Sequence, residues 1–373
     1  MKLRCERDDL LEAVQFAARA ITNRATLPVL AGLRMEATED GTVAIGATDL
    51  ELTMETQLQA AVDEPGTVVV PGRLFGDMMR SLGPGQVSLI SGDAEIEISS
   101  GRGRFHVKAM SVEDYPQLPT RSGDEDGIEL ELAGETLAVG LSQVVRSASN
   151  DETRQVLTGV LWEVEEETLT LAATDSYRLS VRELSVSNTG EGRNVVLPAR
   201  VLSELARTLQ GTSGRVSVEL KKNFAVFRVS GAEGSAETVI ASRFIEGEFP
   251  KYRQLLPQGY PNTLVVGRND VVEVVKRVGL LAQNNMPVKF QLGTELEVSA
   301  NTPDVGEGQE ILDAEYEGEA MVIAFNPRFF LDGATAISGE RLTLVASDGL
   351  KPAIMSAEGE AGFTYLLMPV RLS

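Results

Sequence analysis

Arginines and carboxylates are the reactive side chains this sequence holds in quantity; histidine and cysteine occur once each, as His106 and Cys5. That scarcity excludes zinc sites of the Cys/His type and the HExxH helix. A Ser–His–Asp site would have to use His106, in the alternating segment Arg104-Phe105-His106-Val107-Lys108, which reads as a polar position on a strand. Acid clusters offer a second chemistry, Mg²⁺ held for phosphoryl transfer: Glu163 with Glu165, Glu166 and Glu167, Asp49 with Glu51, or Asp124 with Glu125 and Asp126. The same runs read as solvated turns and strand edges. The second reading is preferred because Asp49 recurs as Asp175 in a repeated motif, with Thr302 falling there a third time, whereas a catalytic site is needed once. Gly101-Arg102-Gly103-Arg104 is a fragment of a phosphate-binding pattern without the helix that should follow it, and reads as a hairpin turn. No Walker-type Gly-Lys-Ser/Thr is present. We therefore expect no catalytic residue, no metal and no cofactor.

The elements that position these residues must be sought in 373 residues, enough for two to four domains at about 100–200 residues each. An apolar content of 43% supplies ordinary cores, and no apolar run approaches the ~18 residues of a membrane span. One cysteine forms no internal disulfide, and Met1-Lys2-Leu3 leads straight into a strand-like segment, so we expect a reduced, cytoplasmic protein without a targeting peptide. The charge is less ordinary: 34 Lys and Arg against 55 Asp and Glu give −21. Taken as one number, that argues against a nucleic-acid or anionic-membrane partner.

The chain repeats itself. Val68-Val69-Val70-Pro71-Gly72-Arg73-Leu74-Phe75 returns as Asn194-Val195-Val196-Leu197-Pro198-Ala199-Arg200-Val201-Leu202 and again as Val322-Ile323-Ala324-Phe325-Asn326-Pro327-Arg328-Phe329-Phe330. Arg73, Arg200 and Arg328 stand 127 and 128 residues apart. Val43-Ala44-Ile45-Gly46-Ala47-Thr48-Asp49 matches Leu169-Thr170-Leu171-Ala172-Ala173-Thr174-Asp175, with Leu296 to Asn301 in third place. Glu113-Asp114-Tyr115-Pro116 is echoed by Gly247-Glu248-Phe249-Pro250. Such a period is domain-sized, far above the 20–50 residues of a solenoid. Each copy reads as a strand, a helix (Asp8 to about Thr22, Thr136 to about Ser149, Asn269 to about Gln283), alternating strands, a second helix and more strands. The acidic stretch Ser122-Gly123-Asp124-Glu125-Asp126-Gly127 reads as a linker. The expectation is an α+β protein of three domains, 1–122, 128–252 and 253–373.

In each second helix, apolar residues fall at +1, +2, +5, +6 and +9 from the arginine, one stripe at about 100° per residue. The arginine and the residue at +7 lie opposite: Arg73 and Arg80, Arg200 and Arg207, Arg328 and Thr335. An acid at +4 (Asp77, Glu204, Asp332) can pair with the first arginine, so a merely solvated face is one reading. The charge distribution favours another. Segments 8–24, 72–82, 136–154, 198–209, 268–285 and 326–337 hold 12 basic and 10 acidic residues, net +2, leaving −23 for the rest of the −21 chain. Base gathers on the helices, acid on strands and loops.

Arg24-Ala25-Thr26-Leu27-Pro28-Val29-Leu30, Ala47-Thr48-Asp49-Leu50-Glu51-Leu52, Val70-Pro71-Gly72-Arg73, Thr174-Asp175-Ser176-Tyr177-Arg178-Leu179 and Met368-Pro369-Val370-Arg371-Leu372, taken in order over the whole chain, resemble the bacterial DNA sliding clamp family, the β subunit of the replicative DNA polymerase III. The resemblance implies the DNA-clamp fold: two such chains, head to tail, form a ring of six domains, with sheets outside and two helices per domain lining a hole around duplex DNA. It implies a non-catalytic processivity factor that tethers the polymerase, with the polymerase α subunit, a separate ATP-driven clamp loader and other proteins bearing a clamp-binding motif as partners.

By matched position the resemblance makes Arg24 and Arg73 DNA contacts. It also points to the stretch Asn150 to Val156, where this chain has Asp151, Gln155 and Val156 in place of glutamine and two tyrosines, and Arg154 is the residue chosen there. Helix position adds Arg80, Arg146, Arg200, Arg207, Lys276, Arg277 and Arg328. A second site follows from the resemblance, a pocket for a short hydrophobic partner peptide. Its matched positions are Leu157, Thr174, Tyr177, Arg178, Leu179, Pro250 and Leu255, then Leu366, Met368, Pro369, Val370, Arg371 and Leu372. From the residues alone, Leu366 and Met368 read as core positions of a strand. Gln254 stands where some members have arginine, and Ser373 extends past the usual Arg-Leu ending.

Overall fold

The sequence period is also a backbone period. A computed structural model describes residues 1–22, 27–92, 94–119, 127–188, 192–211, 214–230, 237–256, 259–283, 286–359 and 361–372. The first third runs β1 (Lys2–Glu6), α1 (Arg7–Ala17), β2 (Gly32–Ala37), β3 (Thr42–Thr48), β4 (Leu52–Gln59) and β5 (Ala61–Glu64). It continues with β6 (Gly66–Pro71), α2 (Gly72–Ser81), β7 (Gln86–Ser91), β8 (Glu95–Ser100) and β9 (Gly103–Lys108). The second third has β10 (Ile128–Ala133), α3 (Gly134–Val144), β11 (Gly159–Val164), β12 (Thr168–Thr174), β13 (Arg178–Ser185) and β14 (Ser187–Asn188). Then come β15 (Arg193–Pro198), α4 (Ala199–Leu209), β16 (Arg215–Leu220), β17 (Phe224–Val229) and β18 (Thr238–Arg243). The last third has β19 (Asn262–Gly267), α5 (Arg268–Gly279), β20 (Val288–Leu292), β21 (Leu296–Thr302), β22 (Gly306–Leu312) and β23 (Ala314–Glu317). It ends with β24 (Met321–Phe325), α6 (Pro327–Ala336), β25 (Arg341–Ala346), β26 (Ala353–Ala357) and β27 (Phe363–Leu367). The order of nine strands and two helices thus recurs three times among the described residues. The acidic stretch 122–126 lies outside them, so the linker expected there is not described.

The strands make four antiparallel sheets, and two of them join copies. One nine-stranded sheet has the order β14-β10-β16-β17-β18-β4-β3-β2-β6, the other β15-β11-β12-β13-β27-β26-β25-β19-β23. In the first, β18 of copy two pairs with β4 of copy one, Ser242 opposite Leu52. In the second, β27 of copy three pairs with β13 of copy two, Leu367 opposite Arg178. The remaining sheets are smaller, β5-β1-β7-β8-β9 and β22-β21-β20-β24. The middle copy therefore divides its strands between both large sheets. Compact units follow the sheets rather than the repeat: one holds Met1–Glu135, Ser187–Glu191 and Thr208–Phe244, the other Thr136–Val186, Gly192–Arg207 and Ile245–Ser373.

One turn carries the signature of the repeat. Leu50, Ser176 and Asp304 have φ of 78°, 79° and 66°, the three non-glycine residues in the left-handed region among those described. Each stands two residues after a threonine, Thr48, Thr174 or Thr302. The bend thus aligns Thr302 with Thr48 and Thr174, rather than with Asp49 and Asp175 where the sequence alignment puts it, and Pro303 takes the aspartate position. Asp49 Oδ1 accepts from the N–H groups of Glu51 (3.1 Å) and Leu52 (2.8 Å), and Asp175 Oδ1 from those of Tyr177 (2.9 Å) and Arg178 (3.1 Å). These carboxylates are occupied in holding the turn.

The helices end earlier than their sequence pattern suggests. After α1 and α3 the last turn tightens into 3₁₀ geometry, Ile21 N–H bonding Ala18 O (3.0 Å) and Ala148 N–H bonding Val145 O (3.3 Å), which satisfies carbonyls that a helix end leaves open; α5 stops at Gly279. In α4 the expected stripe of Val201, Leu202, Leu205, Ala206 and Leu209 is buried throughout. The +1 position lies at the edge of the stripe and is not core elsewhere: Leu74 of α2 is 51% exposed, and Phe329 of α6 is half-buried. On β1 the Cys5 side chain is buried, and that burial, with Asp9 and Glu6 adding, pushes its thiol up to about 12, which keeps it unreactive.

In the second unit α6 packs against β26 and β27 through Gly333. A Cβ there would run into the Tyr365 ring and come within 2.6 Å of Met355 Cε. Tyr365 is pinned, since its hydroxyl donates to Phe329 O at 2.7 Å. Gly333→Ala should therefore destabilise the protein by about 1–3 kcal/mol, seen as a lower midpoint in urea unfolding; an unchanged midpoint would mean the ring yields freely.

Candidate functional site

Each second helix turns its arginines outward, but the ion pairs differ from those the sequence suggests. Asp77 pairs with Arg80 (2.6 Å) rather than with Arg73, and Glu204 meets Arg207 at 3.5 Å. Helical side chains lean toward the N-terminus, so the arginine at +7 reaches back over the acid at +4. Arg73 and Arg328 are exposed and make no ion pair among the described residues; Arg200 is exposed as well. On α5, Lys276 meets Glu273 (2.8 Å), and Arg277 grips Glu310 through two bonds of 2.9 and 2.7 Å. All these pairs lie on the surface, where solvent and salt screen them and each contributes little. Arg24 lies outside the described residues.

Arg146 and Arg154 behave differently, because both join the turn at Thr174–Arg178. Arg154 Nη1 donates to Ser176 Oγ (3.0 Å) and Asp175 O (3.4 Å), and Nη2 donates to Ser149 Oγ (3.2 Å). Its Nε bonds Asp151 Oδ2 at 3.1 Å. Hydrogen bonds from Thr153, then Arg154, hold the Asp151 carboxyl below the usual range, so it is ionised. Arg146 lies 3.4 Å from Thr335 Oγ1 and 3.8 Å from Asp332, while its carbonyl accepts from Arg178 Nη2.

Arg178 is the centre of this group. Its side chain, 5% exposed, bonds Asp175 Oδ2 (3.1 Å) and Asp332 Oδ2 (2.6 Å), and its Cζ lies 4.5 Å from the Phe329 ring centroid. Tyr177 stacks on Phe329 at 6.2 Å, and its carbonyl accepts from Met368 N–H at 2.9 Å. Buried on every side, Arg178 is a bracket behind the surface rather than a group presented to a ligand.

The residues matched to a peptide pocket divide by depth. Leu157, Thr174, Leu179 and Leu366 are buried, with Leu179 and Leu366 in one cluster with Leu161, Ala172, Phe249 and Tyr252. Tyr177 (61%), Leu255 (51%) and Met368 (38%) are exposed apolar groups above them, with Pro250 exposed and Pro369 half-buried. Val370, Arg371 and Leu372 instead line a groove of about 820 Å³ with Met286, Pro287 and Lys289. Sequence matching missed Phe329, Ile354, Ile245 and Leu256, which pack at the same place. Only Phe329 had left a sign, as the +1 residue of a repeated helix.

Of the acids read as possible metal ligands, Asp49 holds its turn and Glu163 has two other partners. Glu163 accepts from the Tyr252 hydroxyl and from Arg253 Nη2 (3.0 Å), and no group of three candidate ligands forms among the described residues. Asp124, Glu125 and Asp126 lie outside them.

Models of the DNA polymerase III β subunit match the chain in succession: its N-terminal domain over residues 1–119, its central domain over 131–251 and its C-terminal domain over 253–371. The chain is 38% identical to the β sliding clamp of Streptomyces coelicolor and 33% identical to that of Synechocystis, with 100% of both chains covered in each case. The crystal structure of a DNA polymerase sliding clamp from Bacillus subtilis superposes with a TM-score of 0.92 at 27% identity, and that of the DNA polymerase III β subunit from Thermotoga maritima with 0.88 at 28%, each over 100% of both chains.

Removing Asp332 leaves the Arg178 guanidinium buried with only part of its charge compensated. Asp332→Ala should cost about 3 kcal/mol in chemical denaturation. Replacing the pair with Arg178→Met and Asp332→Leu together should recover much of that loss; equal stability of the single variant and the wild type would show the pair to be solvated.

Proposed function

Because this chain belongs to the DNA polymerase III β subunit family, the bacterial sliding clamps, we propose that its arginine-bearing helix faces meet duplex DNA and that the apolar surface around Met368 receives partner peptides. The protein is a non-catalytic processivity factor of the three-domain clamp fold, acting as a homodimeric ring on DNA and tethering the polymerase. The three matched segments support the domain boundaries 1–122, 128–252 and 253–373. A single buried cysteine and the lack of a helix long and apolar enough to cross a membrane among the described residues support a cytoplasmic location.

The observation that carries the assembly is a pair of open edges. Copies one and two join through β4 and β18, copies two and three through β13 and β27. The equivalent strands left over are β22 and β9, at the edges of the two smaller sheets, which together would make a third nine-stranded sheet. Register follows by counting. Leu52 and Arg178 begin the in-chain ladders four residues after Thr48 and Thr174; four after Thr302 is Gly306. Ser242 pairs with Ala225 and Ala225 with Leu220, as Val107 pairs with Ile96 and Ile96 with Ser91. Val107 of one copy therefore faces Gly306 of a second, with His106 opposite Glu307 and Phe105 opposite Gly308. The chemistry agrees: β9 carries Arg104, His106 and Lys108 with Phe105 41% exposed, and β22 carries Glu307 and Glu310 with Ile311 56% exposed.

Sliding requires attraction to phosphate without reading bases, since base-edge bonds would create sticking points. Arg73, Arg80, Arg200, Arg207, Lys276, Arg277 and Arg328, with Arg24, Arg146 and Arg154, provide such contacts, and their strength falls with salt. Retention on DNA is topological. A tethered polymerase that lets go rebinds at high effective concentration.

Two outcomes test this. Loaded by a clamp loader onto nicked circular DNA, the protein should stay through a high-salt wash and leave once the circle is cut; salt-sensitive binding to both forms alike would sink the proposal. Carrying His106→Cys with Glu307→Cys, the chain should form covalent dimers on oxidation, read on a non-reducing gel. Failure to cross-link by a chain that sediments as a dimer would refute the register.

A further inference from the structure

Arg154 has two claims on it. In the reading above it faces DNA, yet its guanidinium also fastens the turn that builds the peptide site, through Ser176 Oγ and Asp175 O. Ser176 is the turn's left-handed residue, at φ 79°. The next residue, Tyr177, covers Phe329 and takes a backbone bond from Met368. A side chain 39% exposed can be reached by a phosphate, and each bond it makes there is one removed from the turn.

We infer that Arg154 is a positioning residue shared between the two sites: it holds the Thr174–Arg178 turn in the free ring, and a DNA phosphate draws it away, so that duplex in the ring loosens the peptide site and speeds partner exchange. The inference rests on both site assignments proposed above. By reciprocity, a bound peptide weakens the contact of Arg154 with DNA by the same factor. Arg178 does not take part in the exchange, since its two carboxylates and Phe329 hold it from behind.

The test is the affinity of a fluorescent peptide ending in Leu-Phe, measured by anisotropy with the full-length clamp free and loaded on closed circular duplex. In the wild type the dissociation constant should rise about three- to tenfold on the circle, the scale of a coupling near 1 kcal/mol, and return to the free value when the DNA is cut. In Arg154→Ala the peptide should bind more weakly without DNA, and its affinity with and without the circle should coincide. Arg154→Lys, which keeps the charge but cannot bridge Asp151 and Ser176 together, should also lose the difference. Equal affinities with and without DNA in the wild type, or a difference that survives in both variants, overturn the inference while leaving the two sites standing. A wild-type clamp that loads on DNA but ignores the peptide overturns the peptide site, and the inference with it.

Discussion

A sheet edge is a row of unmet backbone donors and acceptors, and this protein is organised around where those edges are met. The second and third copies each end on a strand that completes the sheet of the copy before. Within the chain this happens twice, at β4–β18 and β13–β27. The repeat is therefore more than duplicated sequence: a copy taken alone has incomplete sheets, and the chain taken alone leaves β9 and β22 without the partners that their equivalents β18 and β13 have. In the proposed ring, β9 pairs with β22 of a second chain by the same hydrogen bonding that joins β4 to β18 and β13 to β27 within one chain. The fact that compact units cut through the middle copy is the same fact, seen in one chain.

The charge distribution fits a molecule that must hold DNA weakly and without sequence preference. A net charge of −21 describes the chain, and the segments bearing the helices carry +2 of it. Several of those cations rest against surface carboxylates that attract them only modestly, as Arg80 does against Asp77. That arrangement keeps the cations placed without binding them tightly. It also limits attraction to DNA, which suits a ring whose hold comes from enclosure. Arg178 shows the contrast: buried, doubly paired and covered by an aromatic ring, it stabilises position and is unavailable to a ligand.

Much of this was legible in the sequence because periodicity records which face is buried. The triple repeat, the strands Arg215–Leu220 and Phe224–Val229, and the outward arginines of α2, α4 and α6 could be read directly. Other features depend on contacts between distant segments. Nothing local marks Leu74 as exposed while Val201 at the same position is buried. Pairing of Asp332 with Arg178, 154 positions away, cannot be seen from a helix wheel, which offered only Arg328. Phe329 reaches Tyr177 and the proposed peptide surface from α6 for the same reason. Leu366, matched to that surface by sequence, is buried in the core, whereas Met368 is exposed.

The left-handed turn that occurs three times bears on how such a protein diverges after duplication. In two copies its shape is fixed by hydrogen bonds between the backbone and a threonine and an aspartate, Thr48 with Asp49 and Thr174 with Asp175; in the third, Pro303 replaces the aspartate and the Thr302 hydroxyl donates to Leu281 O. The residue at the bend itself is leucine, serine or aspartate, each accepting roughly 1 kcal/mol of strain for a positive φ. A backbone so determined leaves its outward side chains free to change without refolding the domain. One copy carries Tyr177 just after the bend, stacked on Phe329, while its sisters keep the same bend with Glu51 and Val305 there.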